Sequence, residues 1–141
     1  MAAEKQIELG KDFEPKFDSN GLITAISQDA KTGEVLMVAL MNKEALEQTI
    51  KTGNAVFYSR NRKKLWKKGE ESGHIQKVKQ ILVDCDQDCL ILKVEVDAGQ
   101  CHIGYQSCFY RAVKKDNPKE LEFIAEKVYD PEQVYKKNGI K

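Results

Sequence analysis

The sequence predicts a single α+β domain, spanning residues 1–141, with a largely antiparallel sheet and two or three helices. Three observations carry this reading. Leu90, Leu92, Val94 and Val96 alternate with Ile91, Lys93 and Glu95, the period of two that marks a half-buried strand. Two apolar runs, residues 22–28 and 35–41, flank the turn sequence Lys31-Thr32-Gly33-Glu34 in the manner of a hairpin. Between Lys43 and Thr52, Ala45, Leu46, Thr49 and Ile50 share one helical face, with Asn42 placed to cap the start and Gly53 to stop the helix.

The elements follow in order. Residues 1–20 are polar and mixed and form a lead-in with a little local structure. The hairpin and the helix come next, and residues 55–59 return as a strand. A basic stretch, Arg60 to Lys68, precedes the loop Gly69-Glu70-Glu71-Ser72-Gly73. Residues 78–83 read as a strand running into an acidic turn, and the alternating strand follows that turn. Residues 106–113 read as a further strand. Residues 112–141 form a C-terminal tail, in which Pro118 starts a segment of undefined form and Asp130-Pro131-Glu132 opens a short helix. No repeat, linker or low-complexity tract interrupts the chain.

Composition narrows the function classes. The hydrophobic fraction of 41% and charged fraction of 32% exclude a disordered chain. A net charge of +1 gives no whole-molecule attraction to nucleic acid or membrane. The opening residues hold no apolar run, and no stretch approaches the roughly 20 apolar residues of a membrane span. The expected location is cytoplasmic, where four cysteines are reduced thiols available to metal.

Two groups of residues carry chemistry. The turn Asp84-Cys85-Asp86-Gln87-Asp88-Cys89 offers three carboxylates. On a straight strand these would stand roughly 6.6 Å apart per step, so a turn must curl them together before one cation can touch all three. Close carboxylates suit a hard cation; the plainer alternative is a solvated acidic loop. A calcium loop counted from Asp84 fails, because its sixth position is Cys89 instead of glycine and both flanks read as strands. The spacing Cys85-x15-Cys101-x6-Cys108 matches no zinc ribbon or finger. Three thiolates leave a fourth tetrahedral position for water, the arrangement of a catalytic zinc. Four-cysteine structural zinc and simple buried thiols remain open. Parity puts Cys89 on the face opposite Leu90 and Leu92, as a packed or free thiol.

His74 and His102 are the two histidines, and either suits a general acid or base. Six cations and Trp66 lie between Arg60 and Lys68. They suit RNA, with Trp66 stacking on a base, or the phosphates of a small substrate; a solvated basic face is the plainer alternative. The low net charge favours a local anion site over a long nucleic-acid track.

Three motifs, Ser59 through His74, Asp84-Cys-Asp-Gln-Asp88 and Cys101-His-Ile-Gly-Tyr-Gln-Ser-Cys-Phe-Tyr-Arg111, together closely resemble the phosphoribosyl-AMP cyclohydrolases of histidine biosynthesis. Residues 28–37 and Met41-Asn42 are similar to that family too, so the likeness runs from about Gly21 to Arg111. The resemblance implies a homodimeric hydrolase that opens the adenine ring of 1-(5-phosphoribosyl)-AMP at N1–C6 and uses zinc and magnesium. It implies zinc on Cys85, Cys101 and Cys108, with Cys85 reaching across from the partner subunit, and magnesium on Asp84, Asp86 and Asp88. The chemistry fits: N1-ribosylation makes C6 electrophilic to water, and a histidine can move the proton from that water to the leaving nitrogen. The two phosphates need cations, with Arg60, Arg62 and Lys68 as supply and Trp66 as a stacking wall. Two departures stand out: Cys89 replaces an expected small residue, and Ile103 stands where threonine is usual. The 30 residues after Arg111 are too few for the fused pyrophosphohydrolase domain of some relatives. A zinc-dependent nucleotide deaminase is an alternative outcome of the same attack, but its His-x-Glu and Pro-Cys-x-x-Cys signature is missing. A non-enzymatic zinc protein that binds RNA is the other alternative.

Overall fold

Alternation along one strand places the core. In β1 (Ile23–Asp29), Ile23, Ala25, Ser27 and Asp29 are buried while the residues between them are half-exposed. β2 (Val35–Met41) pairs antiparallel with β1, from Ile23 opposite Met41 to Ser27 opposite Met37, and a bulge follows at Ser27/Gln28. The computed structural model of the chain describes residues 7–70, 73–97 and 99–132. The first six residues of the lead-in, Glu71 and Ser72 of the expected loop, and the final helix beyond Glu132 lie outside the described residues.

Helix α1 (Lys43–Thr52) begins and ends as its caps dictate. The Asn42 side-chain oxygen accepts the Ala45 N–H at 2.8 Å, and Gly53 takes a left-handed φ of 76° while its N–H reaches the Thr49 carbonyl at 2.9 Å. Ala45, Leu46 and Thr49 are buried, but Ile50 is 56% exposed, contrary to expectation. The buried arc is narrow, and Ile50 sits some 140° around the helix from Ala45, past its edge.

β3 (Val56–Ser59) forms a hairpin with β4 (Lys64–Lys67), which lies inside the stretch that reads as merely basic. Pairing decides this: Phe57 faces Trp66 across the ladder with rings 5.1 Å apart, and Tyr58 faces Leu65, so only Lys64 and Lys67 point to solvent. β5 (Lys77–Val83) and β6 (Cys89–Glu95) pair antiparallel. β6 then lies parallel to β1, from Thr24 beside Cys89 to Asp29 beside Val94. The resulting four-stranded sheet has the order β2-β1-β6-β5. Its covered face and α1 enclose Ile23, Leu36, Met41, Leu46, Phe57, Leu90, Leu92 and Val94. Each of these side chains contributes about 1.5–3 kcal/mol by leaving water.

The strand expected over residues 106–113 is shorter. Only β7 (Arg111–Val113) is extended and paired, with β8 (Leu121–Phe123). Residues 107 and 108 are held to β2 instead: the Ser107 hydroxyl donates to the Val35 carbonyl at 2.7 Å and the Cys108 N–H to the Leu36 carbonyl at 2.7 Å. β8 supplies the form of the segment after Pro118. Beyond α1, residues 7–9 and 131–132 are helical among the described residues. None of the described helices is long and apolar enough to cross a membrane.

Candidate active site

The acidic turn joins β5 to β6. One carboxylate oxygen of Asp84 accepts the N–H groups of Asp88 at 3.0 Å and Cys89 at 3.2 Å. Gln87 takes a left-handed φ of 59°, uncommon for a residue with a Cβ, and this reverses the chain. The carboxylates thereby close up: one oxygen from each of Asp84, Asp86 and Asp88 lies within 4.8 Å of the others. Among the described residues they are the one set of three potential ligands so gathered. Desolvation opposes ionisation of Asp84, but hydrogen bonds from Asp88 and Cys89 outweigh it and hold its carboxyl below the usual range. Hydrogen bonding to Asp84, then to Asp86, pushes Asp88 up. A divalent cation would relieve that crowding, and an all-oxygen donor set suits a hard ion.

Gln87 was not legible as a site residue. Its side chain is buried, accepts the Glu14 N–H at 2.7 Å and donates to the Asp12 carbonyl at 3.1 Å, while its carbonyl accepts the Lys16 N–H at 2.7 Å. The lead-in is thus fastened to the turn over residues 12–16.

A second set of groups meets on another part of the fold. Arg62, Trp66, Lys68, His102 and Cys108 line one cleft of about 240 Å³. Arg60 is exposed and lies outside the lining. Cys101 is buried at the start of a tight turn, where its N–H donates to the Tyr105 carbonyl at 2.9 Å. Tyr105 stacks on Tyr110 at 4.0 Å, which braces the segment between the two cysteines. The Cys101 and Cys108 thiols lie within electrostatic reach of one another. Cys108 is exposed as a residue, yet desolvation of its thiol, and then Cys101, push that thiol up to about 11, although Lys68 pulls the other way. Burial lowers the Lys68 ammonium against the opposing pull of Cys108 and Cys101. Paired soft donors of this kind fit a thiophilic metal ion. Cys85 is exposed and does not complete a three-thiol set with them within this chain. Cys89 lies on the half-exposed side of β6, opposite Leu90 and Leu92.

His102 lines the cleft, whereas His74 does not. His74 packs edge-on against Tyr129 at 4.7 Å, and the Tyr129 hydroxyl donates to the Cys101 carbonyl at 2.5 Å. His74 depends on Gly69. A Cβ on Gly69 would come within 2.4 Å of the Ile75 nitrogen and 2.5 Å of the His74 carbonyl carbon, at a φ of +88°. Gly69→Ala should therefore cost about 3 kcal/mol or more, whereas Gly73→Ala, equally left-handed but in open space, should cost only the ~1–2 kcal/mol of its φ. Urea unfolding of both variants checks this; equal losses would show that the close approach at Gly69 is relaxed.

Two buried glutamines also escaped sequence reasoning. The Ser27 hydroxyl donates to Gln76 Oε1 at 2.6 Å, and Gln76 Nε2 donates to Gln100 Oε1 at 3.0 Å. No periodic signal separates a buried glutamine from an exposed one.

The fold is of the small α+β class, and its cleft sets the Cys108 thiol beside the cations Arg62 and Lys68. The chain belongs to the phosphoribosyl-AMP cyclohydrolase family, whose model matches residues 37–110. It is 59% identical over 120 residues to a phosphoribosyl-AMP cyclohydrolase of Methanococcoides burtonii, covering 85% of this chain and 94% of the relative. Enzymes of the same name from Rhodopseudomonas palustris (53% over 139 residues, 96% of this chain and 92% of the relative) and Methanothermobacter thermautotrophicus (54% over 135 residues, 96% and 97%) match as well. Similarity therefore extends well outside the span from Gly21 to Arg111.

Proposed function

We propose that the protein hydrolyses the N1–C6 bond of 1-(5-phosphoribosyl)-AMP, a step of histidine biosynthesis, as a cytoplasmic homodimer. The carrying observation is family membership across the segment that holds the cationic hairpin, the carboxylate turn, Cys101 and Cys108. Cys101 and Cys108, with Cys85 of the partner subunit, would hold zinc; Asp84, Asp86 and Asp88 would hold magnesium. Bound there, the zinc supplies an activated water near neutral pH and the magnesium offsets phosphate charge.

The chain's own residues do the rest. Arg62, at the cleft wall, meets phosphate with a two-pronged donor set, and Arg60 on the rim of the same hairpin extends that field. Trp66 is fixed by Phe57 and offers its ring to the purine. The oxygen of water joins C6, the N1–C6 bond breaks, N1 receives a proton, and the exocyclic amine stays as a carboxamide. His102 in the cleft is the proton carrier, taking the proton from the water and delivering it to N1. His74, braced on Tyr129, is the second candidate for that transfer.

The test is turnover of phosphoribosyl-AMP followed by its ultraviolet change, with ammonia assayed in parallel. Ring opening without ammonia is expected; ammonia release would identify a deaminase, and no turnover with RNA binding would identify a binding protein.

A further inference from the structure

Lys68 differs from its neighbours. Arg60, Arg62, Lys63, Lys64 and Lys67 are exposed, and Lys68 alone of the six cations is half-buried. Its ammonium donates to the Gln100 carbonyl at 2.9 Å, one residue before Cys101. It lies in the cleft with Cys108 and within electrostatic reach of Cys108 and Cys101.

That mooring is built from the core outward. The Gln100 side chain is held by Gln76 at 3.0 Å, and Gln76 by Ser27 of β1 at 2.6 Å. Ser27, Gln76 and Gln100 are 0%, 0% and 2% exposed. Each of these polar groups would be costly to bury unpaired, so the chain of bonds has little freedom to shift. It fixes where the Gln100 carbonyl stands, and so where the ammonium ends. A cation meant to meet phosphate arriving from solvent needs no such mount; the exposed arginine fork of Arg62 suits that task better.

The charge balance gives the mount a purpose. Three thiolates around a divalent ion leave one net negative charge in a partly desolvated site, and one ammonium cancels it. We infer that Lys68 is a positioning residue of the thiol site, moored by the Ser27–Gln76–Gln100 chain to balance the charge of the metal-bound Cys101 and Cys108, and that it is not a phosphate ligand. This rests on the zinc reading of the thiols given above.

The probes are Zn²⁺ and Co²⁺ alone, titrated into the purified full-length chain, with the cobalt–thiolate absorption as signature and chelator competition giving the affinity. Lys68→Met should weaken zinc about 10- to 100-fold, the usual loss when an outer partner of a metal site is removed, with KM for the phosphorylated substrate unchanged. Lys68→Arg, which keeps the charge, should recover most of that affinity. Ser27→Ala, which frees the far end of the chain of bonds, should give a smaller loss in the same direction. Zinc affinity equal to wild type in a folded Lys68→Met protein, with or without a raised KM, overturns the inference while leaving the thiol site intact. Failure of Lys68→Arg to recover affinity also overturns it, since shape and not charge would then matter. A wild-type chain that takes up neither ion overturns the thiol-site reading itself, and this inference with it.

Discussion

A Cys108→Ser protein should lose zinc and ring-opening activity together, by more than the roughly 10- to 100-fold that follows loss of an outer partner of a metal site. The thiol it removes lies within electrostatic reach of Cys101, so the change strips one of the two soft donors that the segment 101–108 offers. A serine hydroxyl is a poor replacement for thiolate toward zinc. The same thiol makes loading pH-dependent. Because the Cys108 thiol is pushed up to about 11, the metal-free chain carries it protonated at neutral pH, and metal uptake must expel that proton. Apparent zinc affinity should therefore strengthen as pH rises through the neutral range and weaken as it falls. Metal analysis and kcat on the same preparation provide the check. Full activity in a zinc-free Cys108→Ser protein would sink the proposed chemistry. Cys89→Ala is the companion variant. Its thiol sits on the far side of β6, raised by burial and then by the Asp84 charge, and its loss should leave zinc stoichiometry intact.

Mixing two dead proteins should restore a live one. Cys85 does not join Cys101 and Cys108 within one chain. If it serves the partner subunit's site, Cys85→Ser and Cys101→Ser proteins, unfolded and refolded together, form mixed dimers in which one site keeps all three native thiols. Half of a random mixture is mixed dimer with one good site of two, so activity should return to about a quarter of wild type. Each variant refolded alone should stay inactive. No recovery from a mixture shown to contain mixed dimers would place all three cysteines in one subunit or remove Cys85 from the site.

Local patterns were legible where one face alone decides. β6 follows from alternation, β1 and β2 from two runs around the Lys31–Glu34 turn, and α1 from its apolar face and the Asn42 and Gly53 caps. Features set by distant partners were not. β4 hides in a lysine-rich stretch because its pairing with Phe57 and Tyr58 determines it, and Cys108 leaves strand form because it bonds to β2. The candidate residues were legible as types, and the structure gathers some of them: the Asp84, Asp86 and Asp88 carboxylates close up, and Arg62, Trp66, Lys68, His102 and Cys108 share a cleft. The supports were not. Gln76, Gln87 and Gln100 look like surface residues in the sequence, and only the three-dimensional path buries them.

The parallel contact between β1 and β6 has a kinetic consequence. β1 ends at Asp29, and the strand that covers its open edge runs from Cys89 to Glu95 of a 141-residue chain. During synthesis the β1–β2 hairpin and α1 exist long before that edge can be covered. Closing so long a loop is entropically slow, and until it closes an apolar strand edge stays open to other nascent chains. Cys101 and Cys108 emerge only after β6, so any metal they hold would be taken up on a sheet whose centre is already complete. Chains that stall before β6 carry the aggregation hazard without Cys101 or Cys108.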